Sequence, residues 1–128
     1  MSAVRLNDEV LNELQQICKQ RQFKPGEEIT VKGEQLKSMY FILAGWVDIR
    51  FFEDGGGTSS LRVGERSALG EMSFLSGKTA VATAVAVSAV TALELDQDAL
   101  NRLEAKNPSA ASQFSSYLTN TIDKRLQQ

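Results

Sequence analysis

Histidine is absent from this 128-residue sequence, and cysteine, tryptophan and proline are scarce at one, one and two residues. Without imidazole, neither a Ser-His-Asp nor a Cys-His nucleophile can be assembled. The ligand that most metalloenzymes rely on is missing too, which removes a metal-dependent oxygenase from consideration. The lone Cys18 excludes an internal disulfide framework and fits a reducing compartment, so a cytoplasmic location is expected. An excess of one charge is also lacking: 14 Lys and Arg stand against 16 Asp and Glu, a formal net charge of −2. The cations form no basic stripe, whereas neutralising several phosphates needs clustered Lys and Arg. Nucleic acid is therefore not an expected partner. No window approaches the ~18–20 consecutive apolar residues of a membrane span, and "MSAVRLNDEV" has no signal-peptide apolar run. Direct membrane insertion is not expected. Carboxylates alone do not motivate catalysis, so the sequence reads as a non-enzyme with no metal or cofactor.

What is present describes a single domain, 1–128, of ordinary globular composition. "LNDEVLNELQQICKQ" repeats apolar residues at helical spacing (Val10, Leu11, Leu14, Ile17, Cys18), with Asn7 or Asp8 as N-cap. The expectation is an N-terminal helix over about 6–22, broken by Pro25-Gly26. From 23 to 95 short strands alternate with glycine-marked turns. In "GWVDIRFF", Val47, Ile49 and Phe51 share one face, and Asp48 and Arg50 the other. "EDGGGTSS" reads as a hairpin tip, and "AVATAVAVSAVTALELD" as two strands with a bend near Val87-Ser88. Helices return over 96–128: one across "DQDALNRLEAKN", then a final one with Phe114, Leu118, Ile122 and Leu126 at steps of four. About eight short strands between a leading helix and two trailing ones make a mainly β fold with flanking α.

"FKPGEEITVKGEQLKSMYFILAGWVDI" resembles the first half of a cyclic-nucleotide-binding domain, with Gly26, Gly33 and Gly45 at the family's three glycines. "LGEMSFLSG" is similar to that family's phosphate-binding cassette, and "VATAVA…LELDQDALNRL" to the strands and helix that follow it. The resemblance spans roughly 6–126 and implies an eight-stranded β-roll, or jelly roll, with a short cassette helix inside segment 69–83. It implies a cAMP- or cGMP-type ligand held on the cassette, and a last helix that moves over the ligand or pairs with a partner.

Carried onto this sequence residue by residue, the resemblance makes Glu71 the acceptor for a ribose 2′-hydroxyl. A carboxylate suits that task as an acceptor-only, charge-assisted partner. Equally, Glu71 would favour the first turn of its helix by ~0.3–1 kcal/mol with no ligand at all. Gly70 allows close backbone approach, and backbone amides near Met72 and Ser73 face an anionic oxygen, although the side chains of Met72 and Leu75 suit the core. Aligning on Gly77 and Thr83 puts Thr79 at the family's proline and Ala80 at its phosphate-pairing arginine. Val81 follows at a position whose amide usually also faces the phosphate, so the candidate set is Gly70, Glu71, Met72, Ser73, Ala80, Val81 and Thr83. Arg66 stands where the family usually has glycine before the cassette. Lys78 is a candidate compensating cation, with Arg62 and Arg66 upstream; the alternative is that all three are solvated. Phe114, Tyr117 and Leu118 either cap a base, join two chains, or pack on their own core. Trp46 reads as a surface aromatic or an interface contact.

The reading that follows is a regulatory or sensor module with weakened or lost cAMP/cGMP binding. The alternative is a working nucleotide sensor that uses Glu71 and backbone amides and signals through the C-terminal helix to a second copy or an effector. A transcription factor of this superfamily needs a helix-turn-helix after the final helix, and none is expected before Gln128.

Overall fold

The computed structural model describes residues 7–52 and 55–126, with the side chains of 120–126 outside that description. Residue 6, part of the "EDGGGTSS" tip, and the apolar positions Ile122 and Leu126 therefore lie outside the described side chains. The elements run α1 (Asp8–Ile17), β1 (Lys19–Phe23), β2 (Glu28–Thr30), β3 (Ser38–Ala44), β4 (Val47–Phe52) and β5 (Thr58–Val63). After them come β6 (Ala68–Leu69), α2 (Glu71–Ser76), β7 (Thr83–Ala86), β8 (Val90–Asp96), α3 (Gln97–Lys106) and α4 (Pro108–Leu126). Two four-stranded antiparallel sheets face each other, ordered β1-β8-β3-β6 and β2-β7-β4-β5. This is the expected β-roll with flanking helices. No helix among the described residues is long and apolar enough to cross a membrane.

The N-terminal helix is shorter than its periodicity predicts. Asn7 caps it, its side chain accepting from the Val10 amide at 2.9 Å. Cys18 then turns extended, and Lys19–Phe23 becomes a strand paired with β8 from Lys19↔Glu94 to Phe23↔Val90. "KQRQF" carries no alternation because β1 is an edge strand that buries only Phe23. Its identity comes from across the sheet, through the Arg21–Glu94 ion pair at 3.1 Å and the edge-on packing of Phe23 against Tyr40.

Strands β3 and β8 are buried on both faces, since each separates two cores. Met39, Phe41, Leu93 and Leu95 face the helices and meet Val10, Leu14, Leu103, Phe114 and Leu118. Ile42, Val90 and Ala92 face into the roll and meet Val47, Ile49, Ala82, Ala84 and Ala86. Period-2 alternation along one strand thus feeds two different interiors. Gly45 closes the β3–β4 corner at φ 103°. A Cβ there would lie 2.3 Å from the Ala89 carbonyl oxygen, so the corner tolerates only glycine. Arg66, in the turn before β6, is the one non-glycine with positive φ (67°) among the described residues. The position where the resemblance expects glycine therefore keeps the glycine conformation with a different side chain. Tyr117 donates its hydroxyl to the Arg66 carbonyl, and the Arg66 amide donates to the Ile42 carbonyl at 2.8 Å.

Candidate functional site

A cavity of about 180 Å³ opens where the end of β6 and helix α2 meet the inner face of the second sheet. Its floor and walls come from well-separated parts of the chain. β2 gives Thr30, β4 gives Ile49 and Phe51, and β6 gives Leu69. The segment around α2 gives Gly70, Glu71, Met72 and Ser73, and the chain into β7 gives Ala80, Val81, Ala82 and Ala84.

Gly70 starts α2 in the left-handed region (φ 73°, ψ 10°), and its carbonyl accepts from the Phe74 amide at 2.9 Å. That conformation turns the chain sharply enough to bring Glu71 directly onto the cavity wall. A Cβ at Gly70 would sit 2.7 Å from the Leu36 methyl, so the turn is crowded as well as left-handed. Gly77 ends the helix, with the Lys78 amide donating to the Ser73 carbonyl at 3.0 Å. Glu71 is 2 % exposed, and Ser73 and Thr30 are buried with it. One carboxylate and two hydroxyls are thus the polar side chains of an otherwise apolar wall.

The segment leading into β7 brings no charged side chain to the cavity. Ala80 is buried, its amide already donated to the Glu34 carbonyl at 2.8 Å, and its carbonyl accepts from the Gly33 amide at 2.8 Å. These bonds and the Gln35–Thr79 bridge pin the segment against the 33–35 turn. Val81 is 63 % exposed at the rim. Among the described residues no lysine or arginine lines the cavity. Lys78 is exposed and outside the lining, and Arg62 is engaged with Asp48 through two bonds of 2.8 and 3.2 Å on the outer face of the β4–β5 pair.

Six of the seven residues read from the cassette line the cavity; Thr83 does not. In β7 the parity runs Ala82 and Ala84 inward, so Thr83 points the other way, where its hydroxyl accepts from the Lys32 amide at 3.0 Å. Met72 and Leu75 are also corrected, because they are 47 % and 54 % exposed rather than core. Phe114 and Leu118 pack in the outer core, with Phe114 edge-on to Phe41, and neither is part of the cavity lining. Tyr117 is half-buried beside them. Trp46 is exposed and lies over Gly64. Sequence reading missed Thr30, Ile49, Phe51, Leu69, Ala82 and Ala84; for Ile49 and Phe51 the shared face along β4 was the available signal.

Cys18, Tyr40 and Asp48, all outside the lining, have clearly shifted pKa values. Burial pushes the Cys18 thiol up to about 12, which leaves it inert at neutral pH. Burial raises Tyr40, and Glu94 adds to it. The bond from Arg62 holds Asp48 below the usual carboxylate range.

The family model for the cyclic nucleotide-binding domain matches residues 20–107, from the start of β1 to the end of α3. This chain belongs to the cyclic nucleotide-binding domain family. Over 113 residues it is 31 % identical to "Putative potassium channel protein RPA4233" of Rhodopseudomonas palustris, a match covering 88 % of this chain and 27 % of that protein. The chain therefore spans about a quarter of that relative's length. A solved cyclic nucleotide-binding domain from Methylobacillus flagellatus superposes with a TM-score of 0.84 at 22 % identity, covering 94 % of this chain and 68 % of the other. The catabolite activator protein of Thermus thermophilus superposes at 0.79 with 24 % identity, covering 94 % and 57 %. At these identities the superpositions speak to the fold. They agree with the roll of two four-stranded sheets and flanking helices.

Proposed function

We propose that this chain is a non-enzymatic regulatory module of the cyclic nucleotide-binding fold in which recognition of the cyclic phosphate of cAMP or cGMP is weak or lost. The observation that carries the reading is the stretch of lining at Ala80 and Val81, where no lysine or arginine among the described residues lines the cavity. A hydrogen bond to a charged group contributes ~1.5–3 kcal/mol, so its absence weakens binding on the order of ten- to a hundredfold. The phosphate would also be desolvated without a counter-charge.

A second reading, a working cyclic-nucleotide sensor built on Glu71 and cassette amides, is favoured by the burial of Glu71 on the cavity wall. Against it, α2 spans only six residues and the Ala80 amide is already spent on Glu34. In either reading α4 is the element through which binding would reach an effector or a second copy. It is docked on β3 through Phe41, Phe114 and Tyr117 and tied to the turn before β6 by the Tyr117 hydroxyl.

Thermal unfolding with cAMP and cGMP up to millimolar concentration separates the two. A ligand at a hundred times its Kd stabilises the folded state by ~2.7 kcal/mol. The expected result is no rise in Tm, or a small one confined to the highest concentrations. A large rise at micromolar nucleotide would favour the second reading.

A further inference from the structure

We propose that the cavity is a binding site for a small, uncharged hydrocarbon-like ring, of the size of benzene or toluene, in place of a nucleotide. This inference rests on the loss of cyclic-phosphate recognition argued above, and it names the ligand class that the same site accepts. Size is the first observation. The cavity holds about 180 Å³, whereas clefts for drug-sized ligands run to roughly 300–1,000 Å³. It is close to the ~150 Å³ of an engineered apolar cavity that takes up benzene.

The second observation is the chemistry of one wall. Ile49 and Ala84 stand opposite each other across β4 and β7, and each also has a ladder partner on its other side, Leu61 and Thr30. Their main-chain groups belong to the sheet, so this wall offers the cavity hydrocarbon. Leu69 and Ala82 extend it. The polar side chains of the lining, Thr30, Glu71 and Ser73, come from β2 and α2, and a ring against the β4–β7 wall needs no bond to them.

The third observation is what keeps the space open. Ala80, Ala82 and Ala84 all line the cavity and are buried, and each side chain ends at Cβ. At the mouth Phe51, Met72 and Val81 are exposed, so a ligand also meets carbon on its way in. Burying an apolar ring on such surfaces requires no partner atoms. A nucleobase would turn hydrogen-bonding edges toward hydrocarbon, and a phosphate would bring a charge there, each at a cost in affinity.

The test is a methyl NMR titration of the intact protein with toluene, adenine and cAMP in turn. Toluene is expected to shift the methyl signals of Ile49, Ala82 and Ala84 with a Kd of about 1 mM or tighter, ordinary for a ligand of that size. Adenine, a flat ring edged with hydrogen-bonding groups, and cAMP are each expected to bind about tenfold more weakly or worse. Ala84→Val narrows the same wall and is expected to weaken toluene binding by about fivefold or more. If toluene leaves those methyls unmoved, or shifts instead those of Leu100, Ala111 and Leu118 in the groove between α3 and α4, this inference falls. The loss of phosphate recognition then still stands, provided cAMP also fails to bind. If cAMP binds more tightly than toluene and moves the same methyls, both fall. Adenine binding as tightly as toluene would overturn the assignment to an apolar ring. So would an unchanged toluene affinity in Ala84→Val, and the wild-type titrations do not depend on that variant's folding.

Discussion

The two interiors of the roll are built from the same strands and packed in opposite ways. The outer core, between the β1-β8-β3-β6 sheet and the helices, is filled by Phe41, Phe114, Met39 and several leucines. The inner one, between the sheets, draws heavily on Ala82, Ala84, Ala86 and Ala92, and beside it lies the 180 Å³ cavity. Large side chains on one face of β3 and β8 hold the fold, while small ones across the roll leave room for a ligand. The filled core and the cavity therefore sit on opposite sides of the same sheet.

The sharpest way to break this contrast is to hollow out the filled side. Phe114→Ala removes a 1 % exposed ring that contacts Phe41. It is expected to cost about 3–5 kcal/mol in urea unfolding. The opposite change on the open side, Ala84→Val, adds volume where the cavity can receive it. It is expected to alter stability by less than about 1 kcal/mol, compared with roughly 1–3 for overpacking a filled core. A cost for Ala84→Val as large as that for Phe114→Ala would mean the inner side is as tightly filled as the outer.

The smallest expected effect lies at the turn joining the two sides. Arg66→Gly relieves a left-handed non-glycine residue while keeping the carbonyl that Tyr117 holds. The backbone favours the change by roughly 0.5–1 kcal/mol, the relief of strain less the added freedom of glycine in the unfolded chain, and the loss of the Arg66 side chain's own interactions offsets part of it. Differential scanning calorimetry would register it as a modest rise in Tm. An unchanged or lower Tm would mean the Arg66 side chain contributes more than its backbone costs.

The parts of this molecule legible in its sequence are those where one strand carries its own pattern. The alternation of "GWVDIRFF", the corner at Gly45 and the break at Val87-Ser88 all appear as read. What was not legible depends on neighbours. β1 is a polar edge segment defined by β8, and β6 is two residues long, too short for any period to show. In the site, Glu71 and its flanking residues were readable because they are contiguous. Thr30 and Ile49 reach the same cavity from strands far from α2 in the chain, and only the fold unites them with Glu71. Thr83 falls outside the lining for a simpler reason: the parity that sends Ala82 and Ala84 inward sends Thr83 out.

The account turns on the missing charge at one end of the cavity, and Ala80→Arg tests it most directly. Isothermal titration calorimetry with cAMP, on the wild-type and variant proteins under the same salt conditions, gives the comparison. A restored arginine supplies a charge-assisted hydrogen bond of ~1.5–3 kcal/mol, so cAMP binding should tighten roughly ten- to a hundredfold from a weak or undetectable starting value. Tight cAMP binding by the wild-type protein, unimproved in a folded Ala80→Arg variant, would contradict the account.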